Sequence, residues 1–163
     1  MGYHDHPAFE PDDPKPTLHI MRGIPGSGKT TGAKSLGCTM IAADDFHTDE
    51  VTGEYMFDPK RAAQAHAWCL ENAVVFMKKK RQDLCIHNTA IHNWEYATYV
   101  EVGLLAGYDI QIHEYLARTR KDVRICAGRQ QHQVPVDVIL RMWYEFEQHW
   151  DPTHNIVTHK IEG

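Results

Sequence analysis

The stretch from Leu18 to Ser35 constrains this chain most. It reads Leu-His-Ile-Met-Arg-Gly-Ile-Pro-Gly-Ser-Gly-Lys-Thr-Thr-Gly-Ala-Lys-Ser, and Gly23, Gly28, Lys29 and Thr30 fill the template G-x-x-x-x-G-K-[ST] of a phosphate-binding loop. Glycines at 23, 26 and 28 let the backbone turn tightly and bring its N–H groups against phosphate oxygens. A helix opening at about Gly28 would aim its free N–H groups at the same anion. Gly23, Ile24, Pro25, Gly26, Ser27, Gly28, Lys29, Thr30 and Thr31 are therefore the candidate cradle. Lys29 supplies charge to the β and γ phosphates of ATP, and the Thr30 hydroxyl is placed to hold Mg²⁺. The flanks agree: an apolar run, Leu18 to Met21, reads as a buried strand before the loop, and Thr31 to Leu36 continues as a helix.

A chain of 163 residues has room for one domain with its own core, expected over residues 17–163. Residues 1–16 contain Pro7, Pro11, Pro14 and Pro16 and read as a flexible lead-in. No apolar run approaches a membrane span. Cys38, Cys69, Cys85 and Cys126 are scattered without a C-x-x-C, as expected of reduced thiols in a cytoplasmic protein. The net charge of −5 argues against indiscriminate polyanion binding but permits a local basic groove.

Beyond the loop, a short strand over Thr39 to Ala42 ends in Asp44-Asp45. A parallel strand delivers such groups beside the phosphate loop, where open α/β sheets bind ligands. Adjacent acids point in different directions, so one can face the site while the other caps the next segment. The aromatic cluster Tyr55-Met56-Phe57 reads as loop packing in preference to a base-stacking surface. Asp58-Pro59 should start a helix carrying Ala62, Ala65, Trp68, Cys69, Val75 and Phe76 on its apolar face, ending in the solvated basic run Lys78 to Arg81. A third strand, Leu84 to Ile86, ends in His87-Asn88-Thr89. Asn88 or His87 stands where many phosphate-loop enzymes place a metal-binding aspartate. Another helix should run from Asn93 to Leu105 and stop at Gly107. Ile110 and Ile112 alternate with polar residues, as in an edge strand or one with an exposed face. Arg118 to Arg129 is the most basic segment, and Gly128 offers it a hinge. In a helix Arg120 and Arg124 share a face, and we read the segment as a helical lid whose arginines neutralise transferring phosphate. A last helix is expected over Val136 to Trp150, then a tail with one short strand.

These ordered segments resemble one family. They are Arg22 to Thr31, Ala43-Asp44-Asp45-Phe46, Tyr55 to Asp58, His87-Asn88-Thr89, Trp94-Glu95 with Tyr99, Gly107-Tyr108, and His132-Gln133-Val134-Pro135. Together they resemble the polynucleotide-kinase-type P-loop kinases, which include phage 5′-hydroxyl polynucleotide kinases and phage kinases of 5-hydroxymethyluracil in DNA. The resemblance implies an α/β P-loop NTPase fold, with a parallel sheet of four to five strands flanked by helices and a helical lid. It implies ATP and Mg²⁺ as cofactors and DNA as partner, with no protein partner and, for a phage protein, a host-cytoplasmic location. By the same resemblance Asp44, before Asp45, is the general base, and Arg129, with Arg124 second, holds the transferred phosphate.

Thr30 and Asp45 are then the candidate metal ligands, and Asp44, His47 and Asn88 the candidate substrate contacts. Where 5′-end kinases carry an arginine after the paired acids, this chain has Phe46-His47. That shifts the expected acceptor toward a base hydroxymethyl group, with a terminal 5′-hydroxyl second. A small nucleoside or metabolite kinase and a slow ATPase switch are the remaining alternatives.

Overall fold

The computed structural model describes residues 13–163. Five strands form one parallel sheet: β1 (Thr17–Gly23), β2 (Thr39–Ile41), β3 (Leu84–His87), β4 (Asp109–Leu116) and β5 (Asn155–Lys160), in the order β2-β3-β1-β4-β5. The helices are α1 (Lys29–Ser35), α2 (Ala62–Lys79), α3 (Trp94–Leu105), α4 (Arg120–Arg129) and α5 (Val136–Glu145). Most of the expected lead-in lies outside the described residues. At its end Pro16 is buried, and its carbonyl accepts the Asp109 N–H at 2.9 Å.

Strand β1 occupies the middle of the sheet with both faces covered, which explains its continuous apolar run. Leu18 and Ile20 enter the main core with Ile86, Ile112 and the inner faces of α2 and α3. Met21 packs on the other face with Ala33 of α1, Cys85 and Tyr115. A third cluster of Ile24, Val123, Cys126 and Ile139 anchors α4 and α5 beside the phosphate loop.

Local signals placed the helix ends well. Asp58 accepts the Lys60 N–H ahead of α2, and Gly107 stops α3 with φ +81°. The buried row of α2 is Ala65, Cys69, Ala73 and Met77, while Val75 is exposed. Two expectations are corrected. Strand β4 is interior, paired with β1 on one side and β5 on the other. Its His113 and Glu114 are buried in a network: His113 hydrogen-bonds His19 at 3.1 Å and His159 at 3.0 Å, and Glu114 pairs with Arg22. Helix α5 stops at Glu145, short of the expected Trp150. The next residues leave the helix because their backbone is committed elsewhere. Glu147 donates to Ile91 O and accepts from Arg22 Nη2, and the His149 N–H reaches Glu114 Oε1.

Candidate active site

The loop after β1 turns through three glycines, of which Gly26 and Gly28 have φ of +77° and +107°. Gly26 also lies so close to the Cys126 carbonyl of α4 that a Cβ there would collide with it. The loop is tied to β3 through the Gly23 N–H, which donates to Thr89 O at 2.9 Å. Lys29 is buried and its ammonium donates to Gly23 O at 2.8 Å and Ile24 O at 2.9 Å. Burial lowers its pKa to about 8, while Asp44 acts in the opposite sense. A desolvated cation held by neutral carbonyls, beside a turn that takes positive φ at Gly26 and Gly28, fits a phosphate. Thr30 and Thr31 are exposed at the start of α1.

Asp44 and Asp45 lie on a 3-10 turn, Ala43–His47, directly after β2. They divide their work. Asp45 reaches back so that its Oδ2 accepts the Ala42 N–H at 2.9 Å. The Asp44 carboxylate faces outward, 53% exposed, with Tyr55 Oη donating to Oδ1 at 3.1 Å and His132 Nε2 3.5 Å from Oδ2. Burial and the adjacent Asp44 carboxylate raise the Tyr55 pKa, so the phenol stays a donor. The Asn88 carboxamide oxygen accepts the Ala43 N–H at 2.8 Å and so holds this turn against β3. His87, beside it, has its pKa lowered by burial, and Asp45, Lys29 and Asp44 all act on it. The strand ends thus bring Lys29, His87, Asp44 and Asp45 together. Thr30 and Asp45 carry the hard oxygen donors that Mg²⁺ takes.

His47 is buried at 7% exposure against the rings of Phe46, Tyr55 and Phe57. The aromatic cluster divides likewise. Tyr55 is half-buried and packs on His132, with ring centroids 4.1 Å apart, whereas Phe57 is 54% exposed and Met56 65%. The guanidinium of Arg61 lies 4.5 Å over the Phe46 ring, so a cation stands beside Phe46.

Helix α4 opens with a capping box in which Thr119 and Asp122 satisfy each other's backbone. Its last residue, Arg129, lies over the loop, where it donates to Gly26 O and, at 2.6 Å, to Glu162 O. Arg124 is exposed, and helical geometry sets it about 140° round the axis from Arg129, so the two do not act from one face. Gly128 lies within the helix. His132 and Arg61 carried no assigned role in the sequence reading. Nothing local marks either as a neighbour of Asp44 or Phe46.

The family model described as an AAA domain, AAA_33, matches residues 18–151. The chain belongs to the AAA_33 family. It is a kinase-type, nucleotide-binding P-loop domain, a phosphotransferase. It is 29% identical over 136 residues to human NEDD4-binding protein 2, a match that covers 80% of this chain and 8% of that protein's length. Among solved structures it is similar to a gluconokinase from Sinorhizobium meliloti 1021, with a TM-score of 0.60 and 14% identity, covering 93% of this chain and 86% of that one. It is also similar to a chain of the Pnkp1/Rnl/Hen1 RNA repair complex, with a TM-score of 0.63 and 18% identity, covering 83% of this chain and 45% of that one. At these identities the structural likeness speaks for the fold. Among the described residues, no helix is long and apolar enough to cross a membrane.

Proposed function

We propose that the chain transfers the γ-phosphate of ATP to a hydroxyl of a nucleic acid, with 5-hydroxymethyluracil in DNA as its preferred acceptor, in a phage-type DNA modification. The observation that carries this reading is the setting of Asp44. Its half-exposed carboxylate stands at the ligand-binding end of the sheet, within electrostatic reach of Lys29, against a wall formed by Tyr55, His132 and the exposed Phe57. A carboxylate there can take a proton from a hydroxyl, and a flat apolar wall suits a nucleobase.

In the proposed reaction the loop N–H groups and Lys29 bind the phosphates. The acceptor oxygen forms a bond to the γ-phosphorus as the bond from that phosphorus to the β–γ bridging oxygen breaks. The acceptor's proton passes to Asp44, and ADP leaves. Arg129 moves from the carbonyls of Gly26 and Glu162 to the transferring phosphoryl group, which exchanges neutral partners for a charged one. Mg²⁺, held by Thr30 and Asp45, would neutralise charge on the β and γ oxygens.

The likeness to a chain of an RNA repair complex also favours a nucleic-acid acceptor. Arg61 over Phe46 favours a second reading, a 5′-hydroxyl end kinase, because it supplies a cation for the acceptor's own phosphate. The test uses γ-labelled ATP with three acceptors in parallel: DNA containing 5-hydroxymethyluracil with blocked 5′ ends, 5′-hydroxyl oligonucleotides, and free nucleosides. Label in the blocked DNA is expected. Label confined to free 5′ ends selects the second reading, and label confined to free nucleosides overturns both.

A further inference from the structure

The Asp44 carboxylate is gripped from two separate segments. Tyr55 comes from the loop before α2, held there by a bridge between Thr48 and Tyr55 and by the Met56 N–H donating to His47 O at 2.8 Å. His132 comes from the turn that links α4 to α5. Each takes a different carboxylate oxygen, and their rings pack on each other.

The turn carrying His132 is built to present it. The Gln130 side chain clamps the backbone of Val134 in both directions, donating from Nε2 to Val134 O at 3.1 Å and accepting the Val134 N–H at 3.0 Å. Gln133 adopts φ +54°, which costs a non-glycine residue roughly 1 kcal/mol or more and is retained where surrounding contacts dictate it. Val134 packs into the cluster formed by Ile24, Val123, Cys126 and Ile139. The same short run therefore touches the phosphate loop through Arg129 and the candidate base through His132.

We propose that His132 is a positioning residue. Its Nε2 stands 3.5 Å from Asp44 Oδ2, and as that gap closes its N–H donates there, so that together with Tyr55 it fixes the plane of the carboxylate and a remaining lone pair meets the acceptor hydroxyl. A single donor on one oxygen leaves the carboxylate free to rotate about its Cβ–Cγ bond; a second donor on the other oxygen removes that freedom. Because His132 follows directly on the lid helix, the orientation of the base is coupled to the seating of the lid on the loop. The inference rests on the reading of Asp44 as the base.

The test compares the unmodified chain, His132→Ala and His132→Gln in steady-state kinetics on two acceptors, blocked DNA containing 5-hydroxymethyluracil and a 5′-hydroxyl oligonucleotide. A misplaced catalytic group lowers the chemical step without weakening nucleotide binding. His132→Ala is expected to lower kcat by about 10- to 100-fold with KM for ATP unchanged. His132→Gln, which keeps an N–H donor of similar reach, is expected to recover to within about 3-fold of the unmodified chain. Three results would overturn the proposal: unchanged kcat in His132→Ala, a rise in acceptor KM alone, or a glutamine variant as slow as the alanine one. An unmodified chain that labels neither acceptor would overturn the nucleic-acid kinase reading itself, and this role with it, and is distinguishable from all three.

Discussion

Arg22 and Glu114 are direct partners in the register of β1 and β4, and Arg22 Nη1 meets Glu114 Oε1 at 2.8 Å in the interior of the sheet. Arg22 is fully buried, sandwiched by the rings of Tyr96 at 4.3 Å and Phe146 at 4.7 Å. Its remaining donors reach Ala90 O, Ile91 O and Glu147 O. One side chain, immediately before the phosphate loop, thus ties the segment after β3 and the segment after α5 to the centre of the sheet.

Breaking that pair should destabilise the fold strongly. Glu114→Leu leaves a buried guanidinium without its counter-charge and is expected to lower unfolding free energy by about 3–5 kcal/mol. Arg22→Met with Glu114→Leu removes both charges and should recover part of the loss. Urea unfolding of the three proteins checks this. A double variant no more stable than Glu114→Leu would show that the carbonyl contacts of Arg22 matter more than its charge pairing.

Asp44→Asn should separate binding from transfer. The amide keeps the shape but cannot take the proton, and loss of a general base lowers rates by about 10²–10⁴-fold. ATP affinity, followed by titration calorimetry, should stay within about 3-fold, because the carboxylate of Asp44 is partnered by Tyr55 and His132. A fully active Asp44→Asn protein would remove the base assignment.

The state of Lys29 makes a prediction about pH. Burial holds its pKa near 8 in the folded protein, below the model-peptide value of 10.5. Phosphate binding favours the charged form. Below pH 8 the ammonium is already charged, and above it binding must also take up a proton. ATP affinity should therefore fall as pH rises through about 8, by up to about tenfold per unit. Lys29→Met should bind ATP weakly, with no such fall.

A second pH effect arises in the buried histidines. Burial, and then neighbouring His19 and His159, lower the pKa of His113 to about 4; burial, and then His154 and Arg22, do the same for His149. Both are neutral in the fold. Below pH 6.5 the unfolded chain binds protons that the folded chain does not, so stability is present above 6.5 and is lost as pH falls toward 4. Thermal unfolding across this range should show the loss, and His113→Gln should flatten it.

The phosphate loop, β1, the start of α2 and the stop of α3 were legible because their signals are local: a glycine template, an apolar run, an Asp-Pro cap, a terminal glycine. The division between Asp44 and Asp45 was legible as a possibility, because adjacent side chains diverge, but nothing told which would cap. Strand β4 misled because its polar residues look solvated until His19, His159 and Arg22 supply their partners. The end of α5 misled for a related reason, since the Arg22–Glu114 pair takes the backbone of Glu147 and His149. His132 beside Asp44 was hidden because two loops distant in sequence meet only in the fold.

The most direct test of the account is whether ATP consumption depends on an acceptor. The unmodified protein and Asp44→Asn would each be mixed with γ-labelled ATP, Mg²⁺ and 5′-blocked DNA containing 5-hydroxymethyluracil, and with the same mixture lacking DNA. The account predicts label on the DNA with the unmodified protein, little phosphate release without DNA, and no labelled DNA with Asp44→Asn. Equal phosphate release with and without DNA, and no labelled acceptor, would contradict it and identify a slow ATPase in place of a nucleic-acid kinase.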